Sequence, residues 1–277
     1  MTFLRRMAAI LCVLVIGCSS ALAASKKKKE EPAPPMVPVE ILEEIPQEIQ
    51  TLLEVARGEL EAANGAELKK RNQYTDWNGS HTGYGWCGGF ITWCALETGI
   101  PMEQKNKIKK GEVSGVVHVK EAGVGKLVTG YTKMNRISSL PQKGFIVVFG
   151  NSNSKNKKFG GLTPNYHVGL VEDVRLLENG KYRITTIEGN VSLDYTDEAG
   201  VRHKATHTIR RYIRDYDPAA EKLNLDLTLV PEEERDQPES LIFSYDYTYG
   251  NDKMYISKFL MTWLPSEYMA DTAEEGN

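Results

Sequence analysis

The 277-residue chain has few cysteines, almost no excess charge and no apolar run long enough for repeated membrane crossing. Four cysteines are far too few for a disulfide-stabilised scaffold. A formal net charge of −3 argues against a general nucleic-acid binder, which is usually clearly basic. With 41% hydrophobic and 26% charged residues, the composition is that of a soluble globular protein. It excludes a fully disordered chain and a polytopic membrane protein.

The N-terminus has the pattern of an export signal. Arg5 and Arg6 precede an apolar run at 7–17, and the sequence ALA at 21–23 has the small-x-small form of a cleavage site. The apolar run is shorter than the ~20 residues that span a bilayer, so it does not read as a retained anchor. The pattern predicts a mature protein that starts at Ala24.

A second reading of this region is a bacterial lipobox. The sequence VIGC at 15–18 resembles one, and Cys18 would then carry a lipid and become the first residue. Both interpretations predict an exported bacterial protein that is secreted, periplasmic or associated with the cell wall. Membrane contact is expected only through that lipid.

The remaining chain divides by composition. A Lys/Glu/Pro-rich stretch cannot form a core and is predicted to be a disordered tether. The C-terminal part carries 14 acidic and 4 basic residues, which leaves a net positive body before it and is compatible with an anionic polymer as substrate. The predicted segments are a signal peptide at 1–23, the tether at 24–40, a folded domain at 41–215 and an acidic extension at 216–277.

Hydrophobic periodicity predicts helices first and strands afterwards. One helix is expected at about 40–63, a second begins at Cys87, and a short one is expected around 114–122. Consecutive strands with short turns favour an antiparallel sheet, and hence an α+β fold with helices packed on a mostly antiparallel sheet. Strands are predicted at 145–149, 168–174, 182–188 and 206–213, with an edge strand at 223–230 and a hairpin of 241–249 and 254–260.

Cys87 lies where a glycine-containing loop turns into a helix. The unpaired backbone N–H groups and the dipole at a helix N-terminus favour the thiolate and can hold an oxyanion. The position predicts a nucleophile, with a buried structural cysteine as the alternative. Cys94 is roughly 10.5 Å further along the helix, too far for a disulfide with Cys87, and is predicted to be a core residue.

A cysteine nucleophile needs a base, and the chain has five histidines. His167 begins an apolar strand, from which an imidazole can reach a helix N-terminus packed on the sheet. His81 lies in a loop and is interpreted as a surface or cleft residue. His203 and His207 stand in polar surroundings and are interpreted as surface residues, and His118 has no supporting context.

The base in turn needs an acceptor for its other ring nitrogen. The strand after His167 ends in the sequence EGN at 188–190, and Glu188 or Asn190 could fill this role. Taken alone, each is more simply interpreted as a turn residue. The order of cysteine, histidine on a strand, and acid or amide on the next strand favours a catalytic site.

These residues resemble a known family. The sequence WCGGFITWC at 86–94 is similar to the W-C-x-x-F-V-x-W-C signature of CHAP domains, the cysteine- and histidine-dependent amidohydrolases/peptidases. LPQKG at 140–144, HVG at 167–169 and IEGN at 187–190 follow in the same order as in the family. The resemblance covers about residues 51–213.

The resemblance implies a papain-like fold and hydrolysis of amide or peptide bonds in bacterial peptidoglycan, by an amidase or an endopeptidase. It makes Cys87 the nucleophile, His167 the base, Glu188 the residue that orients the imidazole and Asn190 an assisting residue. A non-catalytic protein that binds or scaffolds the cell wall is the alternative. We expect a monomer with peptidoglycan as its partner, no nucleic acid and no cofactor.

The chain departs from the family pattern at two places. Phe145 follows Gly144 where the family usually has an aspartate, which puts a local contact in doubt. Residues 78–86 carry no carboxylate, so the calcium site of some phage-derived members, and with it any metal, is expected to be absent. The aromatic side chains of this region suggest a cleft wall for sugar rings or stem-peptide side chains, with a core role as the alternative: Tyr74, Trp77, Tyr84 and Trp86.

Overall fold

The computed structural model describes residues 41–79, 85–111, 113–152, 162–196, 199–220 and 253–269. It has helices packed on a mostly antiparallel sheet, which confirms the α+β fold predicted from the sequence. The predicted strands at 223–230 and 241–249 lie outside the described residues. In the part of the chain that is described, no helix is long and apolar enough to cross a membrane.

Helix α1 (Gln47–Ala63) forms the first layer over the sheet. It begins at Gln47 rather than near residue 40, because Pro46 disfavours helical dihedrals at the residue before it. The apolar face predicted from the sequence is buried. The helix ends at Asn64, which adopts a left-handed conformation with φ of 43°.

Helix α3 (Cys87–Glu97) is buried on most sides and packs on the sheet, with the short helix α2 (Gln73–Asp76) against it. Gly88 and Gly89 make this packing possible. A Cβ atom at either position would lie 2.3 Å from a backbone carbonyl oxygen, that of Ala122 or that of Tyr74. Two other segments therefore contact the first turn of α3 through their main chain.

The region between α3 and the main sheet differs from its prediction. Strands β1 (Met102–Glu103) and β2 (His118–Val119) form a parallel pair, and helix α4 spans Val124–Lys133. The predicted helix at 114–122 is wrong because β2 lies within it. Glycines at 115 and 123 bracket that segment, and pairing with β1 outweighs its weak helical pattern.

Six strands form the main sheet, and every neighbouring pair in it is antiparallel. The predicted strands at 145–149, 168–174, 182–188 and 206–213 are confirmed, although three of them extend to 15 residues. The order across the sheet is β3-β8-β4-β5-β6-β7. The strands are β3 (Ile137–Ser138), β4 (Ile146–Ser152), β5 (Leu162–Leu176), β6 (Tyr182–Thr196), β7 (Arg202–Tyr216) and β8 (Lys253–Leu260).

Strand β8 comes from the acidic C-terminal extension. The prediction of a strand at 254–260 is confirmed, but this strand lies in the interior of the sheet between β3 and β4. Leu260 pairs with both Ile137 and Ile146. The extension therefore contributes a strand to the folded domain.

Candidate active site

The Cys87 thiol lies at the first residue of α3 and is only 7% exposed. The imidazole of His167 and the backbone N–H groups of Gly88 and Val168 hydrogen-bond to it. Burial opposes ionisation of the thiol, but these partners and the charge of His167 outweigh burial and lower the pKa of Cys87 below its ordinary value. The site therefore favours a thiolate at residue 87.

His167 stands on β5 and faces Glu188 of β6. Its Nε2 lies 3.0 Å from Oε2 of Glu188, which leaves Nδ1 for the Cys87 thiol. The ring stacks on Phe149, its partner in register on β4, with centroids 5.8 Å apart. Burial disfavours the imidazolium, but the hydrogen bonds and charges of Cys87 and Glu188 raise the pKa of His167 to about 10. The proton shared with the thiol therefore resides on the imidazole.

Glu188 is 1% exposed, and both of its carboxylate oxygens have partners. Oε2 faces His167, while Oε1 accepts from the Thr186 hydroxyl at 2.6 Å and from Nη1 of Arg214 at 2.6 Å. Burial disfavours the carboxylate, but the charges of Arg214 and His167 and these hydrogen bonds lower the pKa of Glu188 to about 2. Glu188 remains ionised across the ordinary pH range and can orient the imidazole.

Asn190 is placed differently from the expectation that it assists His167. Its Oδ1 lies 2.7 Å from Nδ1 of His207, and Asn190 adopts a left-handed φ of 61°. Its side-chain nitrogen is 3.5 Å from where a Cβ of Gly85 would lie, so it borders the loop that leads into Cys87. Glu188 is thus the partner of His167, and the surface interpretation of His207 is corrected to a half-buried residue paired with Asn190.

His118 does not reach the site. His118 is buried, bonds to the Thr92 hydroxyl at 2.8 Å and lies 3.2 Å from the Tyr131 hydroxyl. Burial lowers its pKa to about 3, so it is a neutral core residue. His81 and the side chain of His203 lie outside the described residues.

Cys94 follows its prediction as a core residue. It is fully buried, and neither it nor Cys87 is in a disulfide. Burial raises the pKa of Cys94 well above the ordinary value, and the nearby charge of Glu59 adds to the effect. Its thiol stays neutral.

The predicted aromatic cleft wall is partly corrected. Tyr74 and Trp86 are 1% and 0% exposed and stack on each other with centroids 4.9 Å apart. Their rings belong to the core and present no free face to a substrate. Trp77 is half-buried and donates its indole N–H to the Tyr74 carbonyl, and Tyr84 lies outside the described residues.

Trp77 lines a cleft of about 620 Å³ beside the start of α3. Three lysines and one glutamate contribute to its walls: Lys105, Lys120, Lys126 and Glu121. Lys126 pairs with Glu121 at 3.4 Å. Because Lys105 and Lys120 add two further positive charges, the cleft has a net positive charge.

The cleft adjoins the first two turns of α3 through its own lining. The Thr92 hydroxyl donates to the Glu121 carbonyl at 2.7 Å, and the next carbonyl, of Ala122, packs on Gly88. The segment that carries these residues therefore runs along α3 toward Cys87.

Sequence reasoning missed three side chains that complete the site: Phe149, Thr186 and Arg214. Arg214 follows Arg210 and Arg211 in the same strand, so the sequence carried no signal that singled it out. In the residues that the structure describes, no group of three or more His, Cys, Asp or Glu side chains is placed to hold a metal ion.

Comparison with known families identifies one match. Residues 78–190 match the family model described as the CHAP domain. This stretch contains Cys87, His167 and Glu188, and it ends before β7. No curated protein and no solved structure matches the chain.

Proposed function

From the match of residues 78–190 to the CHAP-domain model, we propose that the chain is a cysteine hydrolase of bacterial peptidoglycan. The family is generally hydrolytic. The observation that carries the proposal is the contact of Cys87, at a helix N-terminus, with His167, whose other ring nitrogen is 3.0 Å from Glu188. The bond cleaved is an amide of the glycan–peptide linkage or a peptide bond of the stem or cross-bridge.

The reaction proceeds by acyl transfer. The Cys87 thiolate attacks the carbonyl carbon, and a carbon–sulfur bond forms while the carbonyl oxygen becomes an oxyanion. Backbone N–H groups at the start of α3 stabilise that oxyanion. The imidazolium of His167 gives its proton to the amine as the carbon–nitrogen bond breaks, which leaves a thioester on Cys87.

Water then completes the cycle. Neutral His167 takes one proton from the attacking water as the water oxygen bonds to the thioester carbon, and the carbon–sulfur bond then breaks. The carboxylic acid product leaves and loses the second proton to the solvent, which restores the Cys87 thiolate and the His167 imidazolium. Glu188 holds the ring in the same orientation for both half-reactions. Its low pKa keeps it an acceptor throughout.

The central test compares the two cysteines of α3. Cys87→Ala should abolish release of amines and soluble fragments from purified cell walls, while Cys94→Ala should keep most of the activity. Circular dichroism and thermal unfolding establish that both variants are folded. Activity retained by folded Cys87→Ala would sink the proposal, and wall binding without any fragment release by the wild type would favour the non-catalytic alternative. Mass spectrometry of the released fragments identifies the bond.

The positive cleft beside α3 supports an anionic peptide as substrate. We expect the double substitution Lys105→Gln/Lys120→Gln to raise KM several-fold with little change in kcat, because these lysines attract substrate carboxylates without touching the reacting bond. The matched control is Lys181→Gln/Lys204→Gln, which removes the same charge from exposed positions on the turn after β5 and on β7. Equal effects of the two double substitutions would exclude a specific role for the cleft.

Export of the protein is part of the proposal and rests on the N-terminal sequence. Mass spectrometry of the mature N-terminus distinguishes a start at Ala24 from a lipidated Cys18. An intact N-terminus on cytoplasmic protein would contradict both readings.

A further inference from the structure

We propose that Arg214 is a positioning residue of this site, which fixes the Glu188 carboxylate and balances the charge of the buried group Cys87–His167–Glu188. The inference rests on the proposed function, because it takes Cys87 and His167 as the reacting pair. Arg214 lies on β7, beyond the end of the CHAP match at residue 190. The residue is therefore supplied by a part of the sheet that the matched segment does not include.

The first support is the geometry of hydrogen bonding. Nη1 of Arg214 lies 2.6 Å from Oε1 of Glu188 and 3.1 Å from the Thr186 hydroxyl oxygen, which itself donates to the same Oε1. The other carboxylate oxygen faces His167. With separate partners on its two oxygens, the carboxylate cannot rotate away from the imidazole without breaking charge-assisted bonds.

The second support is the way the guanidinium is held. Its central carbon lies 5.0 Å from the centroid of the Phe149 ring and 4.4 Å from that of Tyr212. The Phe149 ring also stacks on His167. Arg214 thus contacts both the partner of the imidazole and the ring on which the imidazole rests.

The third support is charge balance. A thiolate at Cys87, an imidazolium at His167, a carboxylate at Glu188 and the guanidinium of Arg214 sum to zero. Without Arg214, a buried group of net charge −1 would remain. Uptake of a proton would then be favoured, because it neutralises that charge.

The surroundings of Glu188 contain one other charged group to consider. Arg210 is its partner in register on β7, but the guanidinium of Arg210 is directed toward Gly65 at the end of α1, within 3.3 Å of where a Cβ would lie there. The groups that contact the carboxylate itself are His167 from β5, Thr186 from β6 and Arg214 from β7. Loss of Arg214 is therefore not compensated at the carboxylate.

The test measures the reactivity of Cys87 rather than wall hydrolysis. The alkylation rate of Cys87 by iodoacetamide is followed from pH 4 to pH 9 by mass spectrometry of its peptide, in the full chain. In Arg214→Met we expect the midpoint of the rate profile to rise by about one pH unit, which lowers the rate on the acid side by about tenfold. Arg214→Gln, which keeps some hydrogen bonding, should shift the same way and serves if the methionine variant does not fold.

Two further variants separate positioning from general stability. Arg214→Lys restores the charge and should return the profile most of the way to that of the wild type. Arg211→Met is the matched control, because Arg211 is an equally buried cation on β7 that pairs with Glu172, a carboxylate also held by Arg57. Arg211→Met should lower the free energy of unfolding and leave the pH profile of Cys87 alkylation unchanged.

The inference would be overturned by an unshifted profile in a folded neutral variant, by a shift that lysine does not reverse, or by the same shift in Arg211→Met. Failure of the proposed function is recorded separately. It would be seen as a wild-type protein that releases nothing from cell walls although its Cys87 profile is normal.

Discussion

The first and third turns of α3 each carry a buried cysteine, and the two thiols differ in their polar partners and in the direction in which their pKa is shifted. Cys87 is held by His167 and by backbone N–H groups, and its pKa is lowered. Cys94 is surrounded by apolar side chains with Glu59 nearby, and its pKa is raised. Since both are buried, burial does not make a thiol reactive or inert in this fold; the donors and cations that reach the sulfur do.

Removing the imidazole should have the largest effect on this difference. His167→Ala leaves Cys87 without its hydrogen-bond and charge partner, so burial dominates as it does at Cys94. We expect wall hydrolysis to fall by about 10²–10⁴-fold and Cys87 alkylation at pH 6 to slow strongly. The measurements are fragment release and peptide mass spectrometry on folded protein. Unchanged alkylation would mean that His167 does not set the state of the thiol.

A change of pH should also affect Cys87 and Cys94 differently, although less than the loss of the imidazole does. The pKa of His167 is about 10 in the folded protein and 6.5 as its ordinary value, so its proton contributes stability that is fully present below pH 6.5. That stability is lost as pH rises through about 10. Activity should fall by roughly tenfold per pH unit above that point, because the leaving amine then lacks its proton.

The measurement is a pH profile of fragment release, paired with urea unfolding at each pH. On the acid side of the profile, activity should fall as the Cys87 thiolate is protonated. This fall should occur at a pH below the ordinary pKa of a cysteine. Alkylation of Cys94 should not follow this profile. If activity instead began to fall near the ordinary pKa of histidine on the alkaline side of the profile, the ion pair of Cys87 and His167 would be contradicted.

The smallest effect is expected at Cys94 itself. Cys94→Ala removes a sulfur from a closely packed core and should reduce the free energy of unfolding by about 1–2 kcal/mol. Urea unfolding measures this loss, and kcat should stay within about twofold of the wild type. A large loss of activity in the folded variant would show that the two ends of α3 are coupled, and the comparison between them would then fail.

Strands and helix starts that depend on the local sequence pattern could be predicted from the sequence. Alternation predicted the strands that became β4–β7, and the change from loop to helix at Cys87 predicted the start of α3. Helix α4 was missed because VGKLVTGYTK contains two glycines and β-branched residues, which weaken a helical signal. Packing supplies what propensity lacks there, since Gly130 lies close against Val119.

Contacts between distant parts of the chain could not be predicted. Arg214 reaches Glu188 only because β6 and β7 pair in one register, and a shift of one residue would turn that side chain to the other face. Asn190 follows Glu188 closely in sequence, yet its left-handed backbone directs it to His207. The interior position of β8 depends on pairing across more than a hundred residues.

The place of β8 has a consequence for the order in which the fold forms. β8 fills the space between β3 and β4, and β4 in turn supports the strand that carries His167. In the described sheet β3 and β4 pair with β8 and not with each other, so the sheet is continuous only once β8, which ends at Leu260, is in place. If the export that we propose acts on an unfolded chain, β8 closes the sheet only after translocation, and the Cys87–His167 site forms at that stage.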